Sequence, residues 1–145
     1  MAEAMHLTLR DVRVMVRVMV VDDNKEVGDL YGEALMAAGF EVDVFCDGIQ
    51  ALNNCVRVRY ALVVLDIKMP DIDGLAFMQM LRAQRPLMPY IFISGQAAPG
   101  NTRIVQNADA FVLKIDGPRK LVSTVIDVLA NKGDNAGTSQ SNCAV

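Results

Sequence analysis

Three carboxylates, a hydroxyl and a primary amine each follow a short apolar segment of the chain: Asp22, Asp23, Asp66, Ser94 and Lys114. Short apolar runs bounded by turn signals are typical of strands that are buried on both faces of a parallel sheet. The carboxyl ends of such strands lie along one edge, where open α/β sheets bind their ligands. These side chains are therefore expected to converge on one site.

Carboxylates gathered at that edge would repel one another. Two unit charges about 4–5 Å apart, at an effective dielectric constant of about 20, repel by roughly 3–4 kcal/mol. Lys114 would supply one compensating charge, and a divalent cation bound by carboxylate oxygens would supply the rest. An open site with few protein ligands suits Mg²⁺ better than Ca²⁺. A metal, a lysine and a hydroxyl around one carboxylate predict phosphoryl transfer, with Asp66 as the nucleophile that forms an acyl phosphate.

Each of these residues also has an ordinary structural interpretation. Asp66 and Ser94 could be turn residues, and Lys114 could be a solvated surface charge. The pair Asp22 and Asp23 could simply cap the helix that follows. The arrival of all of them at four strand ends favours a shared site over these separate explanations.

The hydrophobic pattern predicts five strands, at about 16–21, 40–45, 62–66, 90–94 and 110–113. Helical spacing after each strand predicts five helices. Gly39 is expected to end the first at its C′ position, and Pro99-Gly100 should leave the fourth short. The alternation predicts an α/β fold with a doubly wound, five-stranded parallel sheet in the flavodoxin-like order 2-1-3-4-5. Its crevice would lie between the first and third strands.

The same pattern predicts three regions: a flexible N-terminal arm at 1–14, one folded domain at 15–130 and a disordered C-terminal tail at 131–145. The tail is small and polar, which is typical of disorder. The tetrapeptide RVMV occurs at 13–16 and again at 17–20, so the register of the first strand is only weakly specified.

Composition excludes several classes of protein. With 145 residues, 52% of them hydrophobic, the chain can bury a core as one domain. A net charge of −3 and scattered basic residues argue against nucleic-acid binding. The absence of a long apolar run or a secretory layout argues against a membrane span and predicts a cytoplasmic protein. Cys46 and Cys55 lie in apolar segments and are expected to pack as small hydrophobes.

The chain resembles the receiver domain of bacterial two-component response regulators over roughly residues 15–130. The resemblance rests on the acidic pair after the first strand, the turn K-M-P-D-I-D-G after Asp66, the hydroxyl after strand four and the lysine after strand five. It implies a signalling phosphoacceptor rather than a turnover enzyme. Asp66 would receive a phosphoryl group from a phosphohistidine of a sensor histidine kinase or a histidine phosphotransfer protein.

The resemblance also assigns roles to the neighbours of Asp66. Asp22, Asp23 and Asp66 would bind Mg²⁺ together with the backbone carbonyl of Lys68. Ser94 and Lys114 would contact the phosphoryl group, and Phe111, three residues before the lysine, corresponds to the switch aromatic. The signal would then pass to a protein target or a homodimer, whose identity the sequence leaves open.

Two positions depart from the family pattern. Ile115 stands where the family usually has proline, and Gly95 replaces the usual alanine after the hydroxyl residue. Two alternatives remain open. One is a binding-only pseudo-receiver or adaptor. The other is a flavodoxin-like FMN carrier, although Asp22 and Asp23 would repel the phosphate of FMN. Asp71 and Asp73 are expected to shape the turn rather than take part in the chemistry.

Overall fold

The computed structural model describes residues 16–69, 71–95 and 103–143, with the backbone alone at 103–104 and 133–143. Its strands are β1 Arg17–Val21, β2 Glu41–Phe45, β3 Leu62–Asp66, β4 Tyr90–Ser94 and β5 Ala110–Leu113. Its helices are α1 Lys25–Ala37, α2 Gly48–Arg57, α3 Gly74–Gln84, α4 Arg103–Gln106 and α5 Gly117–Cys143. A 3₁₀ turn, Lys114–Asp116, joins β5 to α5.

The strands form one parallel sheet in the order β2-β1-β3-β4-β5. This order and the α/β class confirm the prediction from the sequence. Every residue of β3 and β4 is buried, as expected for central strands covered on both faces, whereas β2 is half-buried at the edge. The described part of the chain therefore contains four helices of at least ten residues and one single-turn helix, α4, where a short fourth helix was predicted.

Alternate residues of the strands supply two hydrophobic cores, one on each face of the sheet. Met19, Val63 and Phe92 contribute to the face that packs against α2 and α3. Val20, Val64 and the other strand residues whose side chains point the opposite way form the core on the other face, which α1 and α5 cover. Because a parallel strand exposes neither face, its apolar run is continuous rather than alternating. All five strands run in the same direction, so their carboxyl ends lie along one edge of the sheet.

Arg17 joins β1 to the neighbouring strand β2. Its guanidinium donates hydrogen bonds to Asp43 at 2.8 Å and to Glu41 at 2.9 Å. Tyr60 donates to the second oxygen of Asp43 at 2.6 Å. The core strand is the second copy of the repeat, which runs directly into Val21 and Asp22 as predicted. Residues 13–15 of the first copy lie outside the described residues.

Side-chain caps begin three of the helices. The carboxylate or amide oxygens of Asn24, Asp47 and Asp73 accept hydrogen bonds from the first free backbone N–H groups of α1, α2 and α3. Gly39 has φ +104°, in the left-handed region that favours glycine, and follows the last residues of α1 as predicted. Asp71 accepts a hydrogen bond from Ile49 N at 3.1 Å and so ties the turn after β3 to the start of α2.

The structure contradicts the prediction for Cys46, and its last helix extends into the predicted tail. Helix α5 continues to Cys143, within the segment 131–145 for which disorder is predicted. Extending an existing helix requires no new nucleus, the segment contains no proline, and Lys132 forms an ion pair with Asp109 at 2.9 Å. Cys46 is exposed rather than packed, because β2 ends one residue before it, while Cys55 is buried as expected. The division into arm, domain and tail remains a prediction.

Candidate functional site

Strand register brings the predicted site residues to one edge of the sheet. Val21 pairs with Leu65, so Asp22 lies beside Asp66 where β1 and β3 end. Asp66 in turn pairs with Ile93, which places Ser94 one residue beyond it. Ser94 pairs with Leu113 at the end of β5, so Lys114 follows next. Adjacent strands therefore end in succession, and their last side chains meet.

Lys114 joins two of the carboxylates. Its Nζ donates a hydrogen bond to Asp66 Oδ2 at 2.9 Å and lies 3.1 Å from Asp22 Oδ2. Asp22 and Asp66 are both buried, and the side chain of Lys114 retains only 26% of its exposure. Burial alone would lower the pKa of Lys114, but the hydrogen bond to Asp66 and the charge of Asp22 outweigh it and raise that pKa. The lysine is thus held as a cation.

One lysine does not compensate the carboxylates fully. Oxygens of Asp22, Asp23 and Asp66 lie within 4.8 Å of one another. Asp22 Oδ2 is buried and, among the described residues, accepts no hydrogen bond despite its proximity to Lys114. Burial raises the pKa of Asp22, so its charged form is disfavoured without a further partner. An unsatisfied buried oxygen within a group of carboxylates fits a hard cation such as Mg²⁺.

Backbone N–H groups orient both buried carboxylates. Asn24 N donates to Asp22 Oδ1 at 2.9 Å, and Lys68 N donates to Asp66 Oδ1 at 3.2 Å. Each carboxylate therefore has one oxygen held by the loop that follows its strand. The second oxygen of each faces Lys114. This arrangement fixes the side chains before any ligand binds.

An open cavity of about 210 Å³ lies over Asp66 and is lined by Asp66, Lys68, Ser94, Gly95 and Lys114. Ser94 is buried at its floor, while Asp23 and Lys68 are exposed at the site. A group the size of a phosphoryl could reach Asp66 through this opening.

Comparison with known proteins identifies the family. The sequence model of one protein family, the response regulator receiver domain, matches residues 18–126 of this chain. These residues contain every predicted site residue. The chain belongs to the response regulator receiver domain family. Its members take part in two-component signalling and act as phosphoacceptors rather than as turnover enzymes.

Individual relatives are similar in sequence and in fold. The transcriptional regulatory protein PrrA of Mycobacterium leprae is 33% identical over 131 residues, 89% of this chain and 56% of PrrA. This receiver domain thus spans about half the length of that curated relative. A CheY-like receiver domain protein from Methanospirillum hungatei is 27% identical, with a TM-score of 0.77 over 83% of this chain and 98% of the other.

A third relative was solved in complex with Mg²⁺ and BeF. The response regulator TrrA of Thermotoga maritima, in complex with Mg²⁺ and BeF, is 30% identical with a TM-score of 0.73. The match covers 79% of this chain and 99% of that one.

No helix in the described part of this receiver domain has the length and hydropathy to cross a bilayer.

Phe111 and Ile115 flank the lysine of the receiver domain on β5 and the turn after it. Phe111 is half-buried, pairs with Phe92 of β4 and packs against the core on the α2–α3 face. Ile115, where the family usually has proline, is 89% exposed in the 3₁₀ turn. Phe111 therefore connects the edge that carries Lys114 to the interior of the sheet.

Sequence reasoning missed the part played by Gly74. A Cβ atom at this position would lie 2.5 Å from the carbonyl oxygen of Asp66 and 2.9 Å from Ile67 Cα. Gly74 N also donates to Ile67 O at 2.7 Å. Helix α3 thus begins against the backbone of Asp66. The glycine in the D-G step was visible in the sequence, but the contact that requires it was not.

Replacing Asp22 by asparagine is expected to stabilise the metal-free receiver domain at pH 7. The amide keeps an oxygen for Asn24 N but removes a buried charge, which should raise the free energy of unfolding by on the order of 1 kcal/mol. The gain should shrink as the pH falls through the raised pKa of Asp22, because the native carboxyl then also becomes neutral.

Urea denaturation with and without Mg²⁺ measures this effect. Saturating Mg²⁺ should stabilise the native protein and leave the Asp22→Asn variant nearly unchanged, since the variant has lost a ligand. Equal stabilisation of both proteins by Mg²⁺ would exclude Asp22 from the metal site.

Proposed function

We propose that Asp66 accepts a phosphoryl group from a phosphohistidine of a sensor histidine kinase or a histidine phosphotransfer protein. The observation that carries this proposal is the buried Asp66 carboxylate held 2.9 Å from Lys114 Nζ, beside the unsatisfied Asp22 oxygen. These groups stand at the mouth of an open cavity. The sequence has a single histidine, His6, which precedes the family match at 18–126, and this supports a donor on another protein.

In the proposed transfer, a carboxylate oxygen of Asp66 attacks phosphorus and forms a P–O bond. The P–N bond of the donor breaks, and its electron pair returns to the imidazole ring, which takes up a proton from solvent. Lys114 and the hydroxyl of Ser94 would contact the phosphoryl oxygens and stabilise their charge. The backbone N–H of Lys68 keeps Asp66 oriented while this occurs.

Asp22, Asp23 and Asp66, with the carbonyl of Lys68, would hold Mg²⁺. When bound, the ion neutralises charge shared by the carboxylates and the phosphoryl group. The buried, unsatisfied oxygen of Asp22 and the close approach of the three carboxylates support this assignment. Asp23 is the exposed member and can rearrange most freely on binding.

Phosphorylation would change protein contacts through Ser94 and Phe111. The new group carries up to two negative charges in place of the single charge of the carboxylate, and Ser94 is the hydroxyl at the end of the adjacent strand β4. Phe111 lies on the adjacent strand and is only half-buried, so it has room to change its rotamer. The recipient of the signal would be a downstream protein or a second copy of the chain. A cytoplasmic location is consistent with Cys46 and Cys55 being free thiols.

Incubation with acetyl phosphate tests the proposal without a cognate kinase. Intact-mass spectrometry should show one adduct of about 80 Da in the presence of Mg²⁺ and none in the presence of EDTA. A binding-only pseudo-receiver would give no adduct under either condition. An FMN carrier would bind FMN with a measurable absorbance change and would likewise show no adduct.

A further inference from the structure

A rigid turn presents an exposed leucine at the amino edge of the sheet, opposite Asp66. Met88 N donates to Arg85 O at 3.2 Å and closes a turn whose second residue is Pro86. Arg82 fastens this turn to α3 by donating to Met88 O at 3.3 Å. Leu87 sits at the tip and is 87% exposed. Leu87 lines one surface with Pro86, Met88 and Pro89, and an exposed apolar patch, unlike an isolated residue, indicates a contact surface.

The sequence segments that contribute to the surface around Leu87 contain arginines and no acidic residues. Arg57 and Arg59 are the charged residues between Asp47 and Asp66, and the segment 74–108 contains arginines but no carboxylate. Among the described residues, Arg59 and Arg85 form no ion pair. The local charge is therefore positive on a chain whose net charge is −3.

The carboxylates closest to this region already have partners. Asp43, which accepts from Tyr60, pairs with Arg17 at 2.8 Å. Asp109, which accepts from Tyr90 N, pairs with Lys132. Neither is left to neutralise the arginines beside Leu87. The positive charge of this surface is therefore available to a partner.

An open cavity of about 380 Å³ lies between the loop that precedes β3 and the loop that precedes β4. It is lined by Arg59, Tyr60, Arg85, Pro86, Leu87, Met88 and Pro89. Its volume suits one or two large side chains. Tyr60 and Met88 form a buried apolar floor, and Arg59 and Arg85 stand at the rim. We call this surface the arginine–leucine cleft.

We propose that the arginine–leucine cleft docks an acidic segment of a partner protein that inserts an apolar side chain between Arg59 and Arg85. Charge complementarity selects the acidic residues, and the floor selects the apolar anchor. Pro86 and Pro89 restrict the backbone beside Leu87, so little conformational freedom is lost on binding. Arginine beside an apolar pocket is a common arrangement at the centre of protein interfaces.

The position of the cleft makes docking independent of Asp66. Tyr60 and Pro89 precede β3 and β4, whereas Asp66 and Ser94 end them. The five residues of such a strand separate the two edges by roughly 16 Å. A partner held at the cleft would leave the cavity over Asp66 open to its phosphodonor. The cleft would thus recruit the receiver domain in either state of Asp66.

Selection from a random displayed-peptide library, followed by fluorescence anisotropy with the best synthetic peptide, tests this proposal. Enriched peptides should carry Asp and Glu around a large apolar residue. The double substitution Arg59→Glu and Arg85→Glu should weaken binding at least about tenfold, and Leu87→Ser about fivefold. The matched control, Arg119→Glu with Lys120→Glu on exposed positions of α5, makes the same change in net charge and should leave affinity within about twofold.

Several results would overturn the proposal. These are selected peptides without acidic residues, affinity that is insensitive to the double charge reversal, and tighter binding of a labelled oligothymidylate than of the peptide. A dimer seen by sedimentation that the same charge reversal dissociates would instead assign the cleft to a second copy. Affinity that changes more than about tenfold on adding acetyl phosphate and Mg²⁺ would contradict independence from Asp66. Apart from this last result, none of these outcomes depends on whether Asp66 is phosphorylated.

Discussion

The substitution Asp66→Asn is expected to abolish formation of the Mg²⁺-dependent adduct completely. An amide oxygen is a poor nucleophile and cannot form a stable acyl phosphate, yet asparagine has nearly the same shape as aspartate. Its one amide oxygen can still accept the hydrogen bond from Lys68 N in the loop after β3, whereas the amide nitrogen at the other position cannot accept from Lys114 Nζ. Loss of the adduct would therefore report lost chemistry rather than a displaced loop. Intact-mass spectrometry after treatment with acetyl phosphate measures it.

Asp116→Asn is the matched control for this experiment. Asp116 is exposed in the 3₁₀ turn two residues after Lys114, and its replacement makes the same change in charge near the same edge. The control should be modified at close to the native rate. An adduct of undiminished yield in the Asp66→Asn variant would refute the assignment of the phosphoacceptor.

Gly74→Ala is expected to have the largest effect of any single methyl group added to the chain near the site. The new Cβ would stand 2.5 Å from the Asp66 carbonyl oxygen, closer than real Cβ atoms approach backbone. Relief requires α3 to move away from β3, because both contacting groups are main chain. We expect a loss of about 2–3 kcal/mol in the free energy of unfolding.

Movement of α3 would also disturb the carboxylate. The Gly74 N to Ile67 O hydrogen bond lies next to Asp66, so the adduct should form more slowly in the variant. Gly95→Ala is the matched control, since a Cβ at that position meets no atom of the described residues within 4 Å. It should change stability by less than about 0.5 kcal/mol in the same urea titration. Equal stability of both variants would show that the Gly74 contact is easily relaxed.

The strands were predictable because each is a short apolar run with a clear boundary. Proline at 89 and the polar residues after Leu113 limit β4 and β5 to the predicted residues. Once the strands are parallel, their carboxyl ends must share an edge. The meeting of Asp22 with Asp66 therefore follows from strand order alone. This part of the site needed no knowledge of side-chain packing.

The features that were missed depend on specific contacts, some between distant residues and some within one loop. The hydrogen bonds of Arg17 to Glu41 and Asp43 join β1 to β2, and hydrophobic spacing does not encode them. Gly74 is required because a Cβ atom there would meet the backbone of Asp66. The hydrogen bond from Asn24 N to Asp22 Oδ1 depends on the conformation of the loop after β1. A capping asparagine after two aspartates was the available signal for the last of these.

The long final helix was unpredictable for a different reason. Its sequence after residue 130 is small and polar, so neither hydrophobic spacing nor composition indicates helix. The segment is helical as a continuation of the packed portion of α5, where Leu121 and Val125 are buried. Lys132 adds an ion pair to Asp109. Helix propensity averaged over a stretch of sequence does not predict that an already formed helix continues into a weakly helical segment.

Chemical trapping of the acyl phosphate tests the central claim most directly. Borohydride reduces an acyl phosphate to the alcohol, so a phosphorylated aspartate becomes homoserine, which peptide mass spectrometry can locate. After treatment with acetyl phosphate and Mg²⁺, we predict homoserine at position 66 and at no other aspartate, with none formed in EDTA. Homoserine at Asp22, Asp23, Asp71 or Asp73 in place of Asp66, or formation without Mg²⁺, would contradict the account.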